Sequence, residues 1–114
     1  MINKKKIEHN IDLKKFVHEM ITLHKESRYG VEKDRNQERF KGIIKNHLTD
    51  KTRSVKYYIY SSHYDENVIG INIVETLDSW RNQYHTINYN KEELIKELKE
   101  ANRNEIKETS SKSN

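Results

Sequence analysis

The chain has no cysteine, no proline, three glycines and one tryptophan. Without cysteine there is no disulfide, no thiolate zinc site and no thiol nucleophile. The glycines stand singly at Gly30, Gly42 and Gly70, so no glycine-rich loop can cradle a phosphate, and no nucleophile elbow is present. No apolar run approaches the roughly 18 residues of a membrane span, and no secretory h-region is present. A cytoplasmic protein with no membrane partner is therefore expected.

What is there is mostly charge. Hydrophobic residues make up 32% and charged residues 35% of 114 positions, which predicts one domain with a modest core and a highly charged surface. The net charge of +4 is uneven. Residues 1–53 carry 14 basic and 8 acidic side chains, and residues 54–114 carry 8 and 10. Such asymmetry marks either a nucleic-acid face or ordinary solubility charge. Lysine outnumbers arginine 16 to 6, and Asn and Ile are abundant, a bias that AT-rich codons of a low-GC bacterium or its phage would give.

The chain is organised around 54–75, where two apolar runs flank a polar break. In 54–61, Val55, Tyr57 and Ile59 alternate with Lys56, Tyr58 and Tyr60. In 68–75, Ile69, Ile71 and Ile73 share one face. Alternation of β-branched and aromatic residues predicts strands, and the break with His63, Asp65 and Asn67 predicts a hairpin turn. A lone hairpin is marginal in water, so helices must cover its Ile-rich face. Apolar stripes at helical spacing place helices at 11–28, 34–48, 76–84 and 90–106. Asn10 or Asp12 would cap the first, Asp34 with Gln37 the second, and Asn90 with Glu93 the last. Leu77, Trp80 and Tyr84 carry the helical reading of 76–84. The expected class is α+β: one domain over 1–107, opened by a frayed Lys4-Lys5-Lys6 arm and closed by a disordered polar tail at 108–114.

Chemistry is sparse. Six histidines show no helical metal spacing, and the run His63-Tyr64-Asp65-Glu66 lacks the pattern of a calcium loop, so no metal or cofactor is expected. His24 and His47 lean toward apolar stripes and read as core residues. Asp65, Glu66 and Glu75 would be a nuclease carboxylate set only with a lysine that is missing. A metal-independent ribonuclease built on Tyr58, Tyr60, Arg81 and His85 is the third functional reading. The helix–Gly30–helix segment is a poor match to a helix-turn-helix, because Glu26 stands where a small residue is needed.

Two surfaces remain. The second helix would present Arg35, Arg39, Lys41 and Lys45 outward, with Lys51 and Arg53 at its edge, suited to backbone phosphates. The second hairpin face offers Lys56, Tyr58, Tyr60 and Asn72. That face is a stacking platform for unpaired bases, a protein-docking surface, or a second buried layer. The whole profile is similar in type to small proteins of phages and other mobile elements. Some of those bind nucleic acid, and others, anti-CRISPR proteins among them, dock on a host nucleic-acid enzyme. The leading expectation is a non-catalytic binding protein that engages nucleic acid or a nucleic-acid–protein complex. The alternative is a protein-binding inhibitor of a host nucleic-acid enzyme.

Overall fold

A computed structural model describes residues 2–23, 34–50, 54–61 and 64–113, with 105–113 described through their backbone alone. The element order is α1 (Lys4–Glu8), α2 (Ile11–Leu23), α3 (Asp34–Ile44), β1 (Val55–Ser61), β2 (Val68–Asp78), β3 (Arg81–Asn90) and α4 (Lys91–Ser113), with a short 3-10 turn at Lys45–His47. The three strands form one antiparallel sheet in the order β1-β2-β3. Four helices and this sheet make the expected α+β fold.

The helix starts follow local chemistry. Asn10 Oδ1 accepts from the Leu13 N–H at 2.9 Å, and Asn90 Oδ1 accepts from the Glu93 N–H at 3.1 Å. Each satisfies an amide that the first turn leaves without a helical partner. α4 runs past the expected end at 106 to Ser113, with no glycine or proline along it to break the helix. Asp65 turns the chain between β1 and β2: its Oδ1 accepts from the Asn67 N–H at 2.9 Å. The end of the first predicted helix, Gly30, His24 and His63 lie outside the described residues.

Two expectations are corrected. Residues 76–84 are not a helix: β2 continues to Asp78, a turn at Ser79-Trp80 follows, and β3 begins at Arg81. A helix there would have pointed Leu77, Trp80 and Tyr84 at a core. Instead Trp80 is 80% and Tyr84 68% exposed. Strand pairing wins because Gln83, His85, Ile87 and Tyr89 alternate inward beside β2, whose residues Val68–Glu75 they extend into a ladder. The amino-terminal arm is not frayed either. Ile2 and Ile7 belong to the core, at 5% and 0% exposure, and α1 forms behind an Asn3 side chain that accepts from the Lys6 N–H. Two isoleucines flanking three lysines are enough to dock the segment.

The core lies between the helices and the inner sheet face. Val55, Tyr57, Ile59, Ile69, Ile71, Ile73, Ile87 and Tyr89 come from the sheet; Phe16, Val17, Met20, Phe40, Ile44, Leu94 and Leu98 come from the helices. Phe16, Phe40 and Tyr57 form its aromatic centre, with ring centroids 4.8 to 6.0 Å apart.

Candidate functional site

Among the described residues the helices pack on that inner face and none covers the other. Tyr58 and Tyr60 are half-buried there and lie outside the core, so the buried-layer reading of them does not hold. The register aligns three rows across the open face: Lys56–Val74–Tyr84, Tyr58–Asn72–Thr86 and Tyr60–Gly70–Asn88. Alternation along each strand puts these side chains on one side.

The third row has a specific geometry. The Tyr60 ring lies over Gly70, so a Cβ at that position would stand 2.2 Å from Tyr60 Cζ. Glycine is what lets the ring lie flat across β2, and its hydroxyl then donates to Asn88 Oδ1 at 3.4 Å. Beside it, Thr86 Oγ1 donates to Asn72 Oδ1 at 2.8 Å. The face is thus a pre-arranged surface of aromatic rings, amides and a hydroxyl. Tyr84 stands exposed on it, and the β2–β3 turn at its end carries Trp80 with the Arg81 guanidinium 5.5 Å from the ring. Arg81 Nε also donates to Asp78 Oδ2 at 2.8 Å. Among the described residues of this face, Lys56 is the one cation outside an ion pair.

The predicted basic face is thinner than its sequence. Arg35 and Lys45 are exposed on α3 and its 3-10 turn, and Lys41 is half-buried. Arg39 donates through both terminal nitrogens to Glu19, at 3.0 and 2.8 Å, and its guanidinium lies 5.4 Å from the Phe16 ring. That fork holds the Glu19 carboxyl below its usual value: the hydrogen bonds from Arg39 act first, burial opposes them, and the Arg39 charge adds a smaller lowering. Arg39 therefore staples α3 to α2 more than it offers charge outward. Lys51 and Arg53 lie outside the described residues. α3 packs over β1 on the inner face, so its outward side and the tyrosine face look in opposite directions.

The ribonuclease set is not brought together. Tyr58 and Tyr60 occupy the open face, His85 is half-buried on the inner one, and Arg81 is held by Asp78. Glu75 is fully buried on the inner face, far along β2 from Asp65 and Glu66 in the opposite turn. Burial lowers the His85 pKa, with the Glu75 charge opposing. Burial, followed by Lys6, also lowers that of His47, which sits 3.5 Å from the Asn10 amide.

Sequence reasoning missed Trp80, Tyr84, Thr86 and Asn88 as site residues, because they join the face only once 81–90 is a strand. The period-2 pattern through Gln83, His85, Ile87 and Tyr89 was the available signal. No family model, curated protein or solved structure matches the chain.

Proposed function

We propose that this is a non-catalytic binding protein that docks on a protein partner through the open face of its sheet. The observation that carries the reading is the separation of aromatics from cations. The face combines Tyr58, Tyr60, Tyr84, amides and one unpaired lysine, while Arg35 and Lys45 sit on the far side of the helical layer. A single nucleic-acid strand gains most where stacking rings and phosphate-binding cations line one groove. A protein partner needs the opposite: little charge at the centre, with tyrosine, tryptophan and arginine as anchors. A host nucleic-acid enzyme as that partner fits the profile of the chain, and blocking it by occupation requires no chemistry from this protein. Nucleic-acid binding is the second reading, and the exposed Arg35 on α3 and Lys45 on the 3-10 turn that follows it favour it.

The two separate cleanly. Labelled single- and double-stranded oligonucleotides are titrated at low and moderate salt. A partner recovered after nuclease treatment of a lysate is then purified and measured directly. We expect no oligonucleotide binding, and partner affinity that falls with Tyr58→Ala or Tyr84→Ala but not with Arg35→Ala. Oligonucleotide binding whose log-affinity against log-salt slope flattens by about 0.7 to 0.9 on Arg35→Ala would overturn the protein-partner reading.

A further inference from the structure

A separate cleft of about 230 Å³ opens where the end of β3 meets α1, α2 and α4. Glu8, Glu93 and Glu97 line it with Lys14, and Leu94 supplies an apolar wall. The Lys14 ammonium, its side chain 11% exposed, is paired with the Glu97 carboxylate. Three carboxylates against one ammonium leave the cleft with an excess of two negative charges. The further pairing of Glu8 with Lys4, at 3.7 Å between exposed side chains, is a surface contact of little weight.

The floor is unusual. Tyr89 is only 8% exposed, and its hydroxyl is closed off from solvent with no hydrogen-bond partner among the described residues. Buried polar groups are nearly always satisfied, and one that is not calls for an explanation. Its pKa is raised by burial first and then by the charges of Glu8 and Glu97, so the hydroxyl lies within reach of the field of the acidic rim. The acidic side chains are not grouped as a metal site among the described residues. At this size, below the roughly 300 Å³ where drug-sized ligand pockets begin, the cleft suits one side chain or one small amine.

We propose that this cleft binds a single aliphatic cation, an alkylammonium or alkylguanidinium group. Glu8 and Glu93 take the charge, and Leu94 lines the methylene stem. The Tyr89 hydroxyl, sealed while the cleft is empty, accepts an N–H once the exposed Glu8 and Glu97 side chains part around the cation. Such a cation comes either from a lysine or arginine side chain of a bound segment or from a free amine. The cleft shares Asn88 with the edge of the open sheet face, but none of the four residues assigned contacts to the cation belongs to that face, so each can fail alone.

The test is a ¹H–¹⁵N NMR titration of the full chain with three probes at constant ionic strength: butylammonium, butylguanidinium, and a Gly/Ser peptide with one central arginine. We expect saturable shifts at Glu8, Tyr89 and Glu93. Affinity should weaken roughly ten-fold in Tyr89→Phe, as for a hydrogen bond to a charged group, and similarly in the exposed Glu93→Gln, with spectra that stay folded. Saturation by the small cations identifies a free amine as sufficient; saturation by the peptide alone identifies a partner's side chain. Shifts no larger than those caused by sodium chloride, or the same affinity in both variants as in the wild type, would overturn the proposal.

Discussion

The two faces of the sheet are built from alternate residues of the same strands, yet they do opposite things. On the inner face Tyr57 is fully buried against Phe16 and Phe40. One residue on, Tyr58 stands on the open face beside Asn72 and Thr86. Composition alone does not separate them, since both faces carry tyrosine and β-branched residues. What separates them is which side the helices cover. The inner face has isoleucine at Ile59, Ile69, Ile71, Ile73 and Ile87, and burial there drives folding. The open face has Gly70, Asn72, Thr86 and Asn88 at the matching positions, which add little to a core but order a surface.

The sharpest way to break this comparison is to truncate the inner face. Ile71 is fully buried at the middle of β2, paired with Ile59 and Ile87. Ile71→Ala should cost about 2–5 kcal/mol in a denaturant melt, the range for core truncations. A loss below about 0.5 kcal/mol, typical of surface positions, would mean that the faces are reversed.

How much of this was legible follows from the same alternation. β1 and the start of β2 were readable because their inner positions are Val, Tyr and Ile, apart from Ser61 at the end of β1. The caps at Asn10 and Asn90 were readable because capping is local. β3 was not, because two of its inner positions, Gln83 and His85, are polar, while Leu77, Trp80 and Tyr84 fall at helical spacing by coincidence. Ile2 and Ile7 were hidden by the lysines between them. On the open face Lys56, Tyr58 and Tyr60 could be named from their own strand, whereas Tyr84, Thr86 and Asn88 required the pairing of a third. The Arg39–Glu19 fork joins residues twenty apart across two helices, and no local pattern announces it. The cleft floored by Tyr89 needs four elements at once.

Acid probes the buried side next. His85 and His47 are both held below the ordinary histidine value, chiefly by burial. The unfolded chain, with histidine near about 6.5, then binds more protons than the folded one as pH falls. Their contribution is fully present above about pH 6.5 and is lost as pH drops through it toward the lowered folded values. The melting temperature should therefore fall between pH 7.5 and 5, and less so in a His47→Gln/His85→Gln double variant. An equal fall in that variant would assign the acid sensitivity to other groups.

A smaller effect, of opposite sign, is expected on the outer side of the helical layer. Gly42 sits within α3, exposed, and a Cβ there would meet nothing within 4 Å. Gly42→Ala should stabilise by about 0.5–1 kcal/mol, as expected from helix propensity and the restricted unfolded chain. Destabilisation would show that α3 is strained at this point.

The least effect on stability is expected where the effect on function should be greatest. Tyr84→Ala removes a ring that is 68% exposed and should change stability by less than about 0.5 kcal/mol. Gly70→Ala is the finer probe. Its new methyl would collide with Tyr60 Cζ, but that atom is the far end of a side chain with solvent beside it, so the ring can swing away at little cost. The swing would break the Tyr60–Asn88 hydrogen bond and lift the ring off the sheet. Stability should stay within about 1 kcal/mol of wild type, yet affinity for the protein partner should fall as it does in Tyr60→Ala. If Gly70→Ala binds normally while Tyr58→Ala and Tyr84→Ala do not, the Lys56 and Tyr58 rows carry the contact and Tyr60 is only a cover for the glycine. If all three bind normally, the open face is not where the partner docks.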